Sequence, residues 1–151
     1  MRRLTLDQER DRQVADTGDA LLVVSSFEEV HTHMGRVFAG SHWILHGVRT
    51  RAGATVLVRE NSPQVVVCER DLPDGNWKEI LDELRLLPNP PILIVISQVA
   101  DESLWVEVLD LGGFDLLAKP LAEKEIWRVV DSAKRHWNGK REQAMQDREA
   151  A

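Results

Sequence analysis

Five short, largely apolar runs constrain this chain more than any other feature of it. They are Ala20-Leu21-Leu22-Val23-Val24, Trp43-Ile44-Leu45, Val65-Val66-Val67-Cys68, Ile92-Leu93-Ile94-Val95-Ile96 and Phe114 to Ala118. Runs this short, rich in β-branched residues and without polar alternation, read as strands buried on both faces of a sheet. Apolar residues at helical spacing fill the intervals: Phe27, Val30, Met34, Val37 and Phe38 after the first run, and Ile80, Leu81, Leu84 and Leu87 after the third. A weaker helix from about Arg51 to Glu60 contains Gly53, and another from about Asp101 to Leu111 stops at Gly112-Gly113. Leu121, Ile126, Val129, Val130, Ala133 and Trp137 mark the last helix. Ser25-Ser26 offers a cap to the first helix, and Pro88, Pro90 and Pro91 end the third, because proline lacks the amide donor and clashes with the preceding turn.

Strands alternating with helices predict an α/β fold: a five-stranded parallel sheet covered on both faces by five helices. In such doubly wound sheets ligands bind beyond the carboxyl ends of the strands. That places Ser25, Ser26, Glu69, Ser97 and Lys119 at the candidate site, after strands one, three, four and five. The domain is expected over residues 19–138, with a polar tail at 1–18 and a second polar tail, or an extension of the last helix, at 139–151. Nothing after Trp137 predicts a further domain.

Composition excludes several function classes. A net charge of −6 argues against nucleic acid, whose binding needs a basic face to displace counterions. The single cysteine, Cys68, excludes an internal disulfide and reads as a small buried hydrophobe in a reducing compartment. No apolar run approaches membrane-spanning length, and the start Met1-Arg2-Arg3-Leu4-Thr5 lacks a signal-peptide core, so a cytoplasmic location with no membrane contact is expected. His31 and His33 point to different faces of a helix, and His42 and His46 share a strand face without further ligands, so no metal site is expected. Asp71 and Asp74 read as caps of their turn and of the helix that follows. No histidine accompanies a nucleophile at the predicted site, and the chain is not expected to be an enzyme.

The residues at the four strand ends carry a resemblance. Leu22-Val23-Val24-Ser25-Ser26-Phe27 resembles the first strand and acidic pair of a response regulator receiver domain, with serines in place of both acids. Pro63 to Pro73 resembles the strand and loop of the phosphoacceptor aspartate, and Glu69 falls on that aspartate, four residues before Pro73. Pro91 to Ser97 looks like the fourth strand with its terminal hydroxyl, and Leu111 to Pro120 like the segment that ends in the family's lysine-proline pair, here Lys119-Pro120. The resemblance covers about Asp19 to Trp137 and implies a flavodoxin-like sheet of order 2-1-3-4-5. The chain is most similar to a single-domain, chemotaxis-regulator-like receiver in degenerate form, a pseudo-receiver of a two-component phosphorelay.

The departures bear on chemistry. In the family, magnesium bridges the phosphoryl oxygens and is held partly by the acidic pair. Ser25 and Ser26 supply neutral hydroxyls where that ion prefers anionic oxygens, so Mg²⁺ binding is expected to be weak or lost and no cofactor is expected. Glu69 sets its carboxylate one methylene too far out for in-line transfer. The same carboxylate would place a fixed negative charge near Lys119, as a phosphoryl group would, or else form a purely structural ion pair. Leu116 occupies the family's aromatic switch position, and Trp77 stands where a glycine is usual.

The expected function is therefore a phosphorylation-independent interaction module. It would bind a signalling protein, or itself, through the fourth helix, fifth strand and fifth helix, with Trp105 and Trp127 as aromatic anchors. The rivals are a phosphorylation-competent receiver with an atypical metal site, and a flavodoxin-like small-molecule binder. The binder is disfavoured because the loop after the first strand lacks a glycine-rich phosphate cradle.

Overall fold

The computed structural model describes residues 18–150, so all but the last residue of the expected N-terminal tail lies outside it. In chain order the main elements are β1 (Ala20–Val24), α1 (Glu28–Phe38), β2 (Ile44–Val48), α2 (Arg51–Asn61), β3 (Val65–Glu69), α3 (Trp77–Leu84), β4 (Ile92–Ser97), α4 (Glu102–Leu111), β5 (Asp115–Ala118) and α5 (Glu123–Ala150). The five strands form one parallel sheet in the order β2-β1-β3-β4-β5, the expected architecture.

Alternation along the strands divides the core in two. Leu21, Val23, Val65, Val67, Ile94 and Ile96 face α1 and α5, where Met34, Val37, Ile126, Val129 and Val130 cover them. Leu22, Val24, Val66, Cys68, Leu93 and Val95 face α2, α3 and α4, under Ala54, Val58, Ile80, Leu84 and Val108. Every residue of β1, β3 and β4 is buried, which is why these runs are apolar until Glu69 and Ser97 at their carboxyl ends. Each fully buried side chain of this size contributes on the order of 1.5–3 kcal/mol.

Several local expectations need correction. The second strand begins after Trp43 and continues through His46-Gly47-Val48. An edge strand keeps partly exposed positions, so it does not require an unbroken apolar run. Ser25-Ser26 does not cap α1: its N-cap is Phe27, with no side-chain cap bond. Phe27 consequently leaves the core stripe assigned to it and is 45% exposed. Asp74 caps α2 across the loop, accepting from the Arg51 and Ala52 amides at 2.7 and 3.0 Å, while Asn76 caps α3. Asp71 pairs instead with Arg70, in a small hairpin of Asp71–Leu72 against Gly75–Asn76. His42 lies ahead of β2 and pairs with Asp19. Asp101 caps α4, and Gly112 ends it at φ 110°, where a side chain would be strained. The polar segment after Trp137 is helical and exposed, continuing α5 to Ala150.

Asp19 fastens the start of the sheet. It accepts from Lys134 of α5 at 3.0 Å and from His42. Burial alone would raise its carboxyl pKa, but hydrogen bonds from His42 and Lys134 outweigh that and hold it below the ordinary value. A carboxyl depressed by folding contributes stability above its unfolded-state pKa, near 4, and loses it as pH falls through the folded value. Asp19→Asn should therefore cost about 0.5–1 kcal/mol at pH 7, allowing for solvent screening of a partly exposed group. In urea titrations the gap between wild type and variant should close as pH drops below about 4; a gap unchanged by acid would locate its cause elsewhere than the carboxylate charge.

Candidate functional site

The parallel register brings the carboxyl ends of β1, β3, β4 and β5 to one edge, with Val24 opposite Cys68, Glu69 opposite Ile96, and Ser97 opposite Ala118. Glu69, 4% exposed, is the centre of this edge. Its Oε2 accepts from Lys119 Nζ at 2.9 Å and from Ser25 Oγ at 2.7 Å. Lys119 follows β5, and its amide donates to the Ser97 carbonyl at 3.0 Å, which carries the ammonium over the end of the sheet. There the Phe27 ring stands 4.3 Å from Nζ, a cation–π contact on the solvent side of the ion pair.

Ser25 is fully committed. Its hydroxyl donates to Glu69 and accepts from the Phe27 amide at 3.1 Å, and its carbonyl accepts from His31 Nε2 at 2.8 Å. A Cβ on Gly47 would stand 2.7 Å from His31 Nδ1, so glycine in β2 is what lets this imidazole lie over the edge strand and reach Ser25. Ser26 is half-buried, and its carbonyl accepts from Arg49 Nη1 at 3.3 Å. Ser97 is buried, but its hydroxyl is engaged with the Val99 amide and carbonyl, both at 3.1 Å.

Of the sequence-predicted set, the structure thus joins Ser25, Glu69 and Lys119 through their side chains, brings Ser97 in through its backbone, and leaves Ser26 beside them. Phe27 and His31 belong to the site and were not anticipated. The place of Phe27, directly after the serine pair at a strand end, was the available signal for it. Leu116 is half-buried against the α2–α3–α4 side of the core. Trp77 is buried at the start of α3. Burial, followed by the neighbouring Glu69 carboxylate, pushes the Cys68 thiol well above its ordinary pKa, which keeps it a poor nucleophile.

Trp105 and Trp127 do not share a surface. Trp105 is 45% exposed on α4, beside Leu116 and Ala118 of β5. Trp127 packs on Phe38 of α1, centroid to centroid 4.5 Å, on the opposite side of the sheet. Position 127 falls one step off the Ile126 stripe, toward α1.

The donor set does not suit magnesium. It offers one carboxylate, already paired with a lysine, and the hydroxyls of Ser25, Ser26 and Ser97, of which the first and last each already make two hydrogen bonds. Among the described residues no group of three or more His, Cys, Asp or Glu is arranged to hold an ion. Magnesium gives up its water reluctantly and asks for anionic oxygens.

With this geometry established, the comparisons with known proteins agree on the family. The sequence model of the response regulator receiver domain matches residues 21–131, and the chain belongs to that family. It is 35% identical over 86 residues to the transcriptional regulatory protein KdpE of Mycobacterium tuberculosis, covering 57% of this chain and 38% of that one. Its fold is similar to that of the signal receiver domain of an HD domain-containing protein from Pseudomonas fluorescens. The TM-score is 0.75 at 20% identity, over 83% of this chain and 93% of the other. It is similar also to the beryllofluoride-activated NtrC4 receiver domain dimer, with a TM-score of 0.71 at 19% identity over 78% and 98% of the two chains. The chain spans between 26% and 52% of the length of the curated relatives it matches.

The Glu69–Lys119 pair is largely buried, its side chains 6% and 14% exposed. Breaking such a pair from one side leaves an uncompensated charge, whereas replacing both partners by apolar groups is often nearly neutral. Lys119→Met should cost about 3 kcal/mol in urea unfolding, and Glu69→Leu with Lys119→Met clearly less than the two single changes summed. Additive costs would mean that the two charges do not depend on each other.

Proposed function

We propose that this receiver domain does not accept a phosphoryl group and signals by protein contact from one fixed state. The observation that carries the reading is the closed triad: Glu69 Oε2 is shared between Lys119 and Ser25, so the lysine that would meet a phosphoryl oxygen already holds a permanent carboxylate. Transfer would require a metal to neutralise developing charge, and these donors favour none. Leu116 has no ring to report an anion by rotation. Among the described residues no helix is long and apolar enough to cross a membrane, and the reading takes the domain to act in the cytoplasm.

Incubation with acetyl phosphate and Mg²⁺, followed by intact mass, should give no phosphoryl adduct, and beryllofluoride with Mg²⁺ should leave the amide spectrum unchanged. The triple variant Ser25→Asp, Ser26→Asp, Glu69→Asp should gain a magnesium-dependent response to both. A magnesium-dependent adduct on the unaltered protein would overturn the reading and favour a phosphorylation-competent receiver.

The contact face in this proposal is α4 with β5, where Trp105 and Val106 are 45% and 43% exposed and Leu109 stands beside them. The partner is a signalling protein or a second copy of the chain; the similar NtrC4 receiver is described as a dimer. Exposed tryptophan is a favoured anchor in such patches. Trp105→Ser should weaken association at least tenfold by sedimentation or partner titration, while Trp127→Ser should act on thermal stability instead. The reverse result would move the contact to the α1–α5 seam.

A further inference from the structure

The amino end of the sheet, remote from Glu69, carries two adjoining clefts of about 350 and 500 Å³. They share Asn89, Pro91, Trp137 and Arg141. In a chain of net charge −6, neither cleft is lined by a single Asp or Glu, while Arg59, Arg85, Lys140 and Arg141 all stand on their walls. Arg59, Lys140 and Arg141 make no ion pair among the described residues, and Arg85 has only an exposed Asp82 contact at 3.6 Å. Among the described residues the positive charge is therefore gathered at one place and left largely uncompensated.

The floor is apolar and aromatic. Ile92 and Leu93 open β4 beneath it, and Phe114 stands 5.3 Å from the His136 ring, the planes inclined by 37°. Trp137 separates the two clefts, with the Arg141 guanidinium 5.4 Å from its ring centroid. Gly112 lets Arg85 lie flat at the rim, since a Cβ there would be 2.6 Å from its Nη2. Ser62 and Asn89, the non-glycine residues with positive φ among those described, both line the second cleft.

We infer that this end of the domain binds a nucleoside phosphate, its phosphate held by Arg85, Lys140 and Arg141 and its base laid against Trp137 and Phe114. Guanidinium groups suit phosphate through paired donors, aromatic rings stack on a base, and the volumes fall within the range of small-molecule sites. Doubly wound folds ordinarily bind ligands at the other end of the sheet, so the fold itself does not supply this site.

The probes are adenosine monophosphate, adenosine, and inorganic tripolyphosphate, added to the full chain and followed by indole and amide resonances. Adenosine monophosphate should shift the Trp137 indole and the Gly112 amide saturably. Arg85→Gln with Arg141→Gln should weaken that binding at least tenfold in a protein whose other resonances are unmoved. Trp137→Leu should remove the response to adenosine while keeping that to tripolyphosphate. The inference fails if adenosine monophosphate produces no saturable shift, or if the double glutamine variant binds it as tightly as the parent. It fails equally if removal of residues 1–17 moves the Trp137 indole while the nucleotide does not bind. The cleft would then belong to the chain's own first segment, which joins the fold at Gly18, bonded to Gln64 of the second cleft at 2.8 Å.

Discussion

β1, β3 and β4 are buried along their whole length, and a parallel sheet in that condition needs a layer of helices on each face. Parallel neighbours also need crossover connections, and α1 to α4 serve as both crossover and cover, with α5 completing the layer beside α1. The same parallelism delivers every strand's carboxyl end to one edge. Ser25, Glu69, Ser97 and Lys119, up to 94 positions apart in sequence, meet there without any local motif to assemble them.

What happens at that edge depends on Ser25 being a hydroxyl and Glu69 a carboxylate. Ser25 contributes a proton donor where an acid would contribute charge, and its hydrogen bond goes to Glu69. The Glu69 side chain, one methylene longer than an aspartate, reaches Lys119, and the two close on each other at 2.9 Å beside the Phe27 ring. In the proposed reading, a self-contained ion pair stands where a phosphodonor would otherwise meet an open acceptor. A buried pair of this kind adds little net stability, but each partner becomes indispensable to the other.

The strands buried on both faces were legible in the sequence almost to the residue, because burial on both sides leaves an unbroken apolar run. β2 was legible only at its start, since an edge strand tolerates His46 and Gly47. Side-chain destinations were harder to read. Ser25-Ser26 has the composition of a cap, yet the helix N-cap falls two residues beyond Ser25, whose hydroxyl donates to a buried carboxylate forty-four residues away. Asp74 reads as a cap for the helix it precedes, but the loop folds back and gives it to α2. Trp127 sits beside an apolar stripe, and only the placement of α1 decides which neighbour covers it. Each of these turns on a partner distant in sequence, which neither periodicity nor propensity encodes.

α5 is 28 residues long, about 42 Å at 1.5 Å per residue. Its buried anchors end at Ala133, with Trp137 half-buried just beyond, and every position from Asn138 to Ala150 is exposed. The last thirteen residues thus form a stiff arm of about 20 Å fixed at one end in the core. A tilt of only about 5° at the sheet carries its tip nearly 2 Å sideways, several times the displacement at the anchor. A packing change too small to alter the domain's shape is thereby converted into a change of position at Ala150.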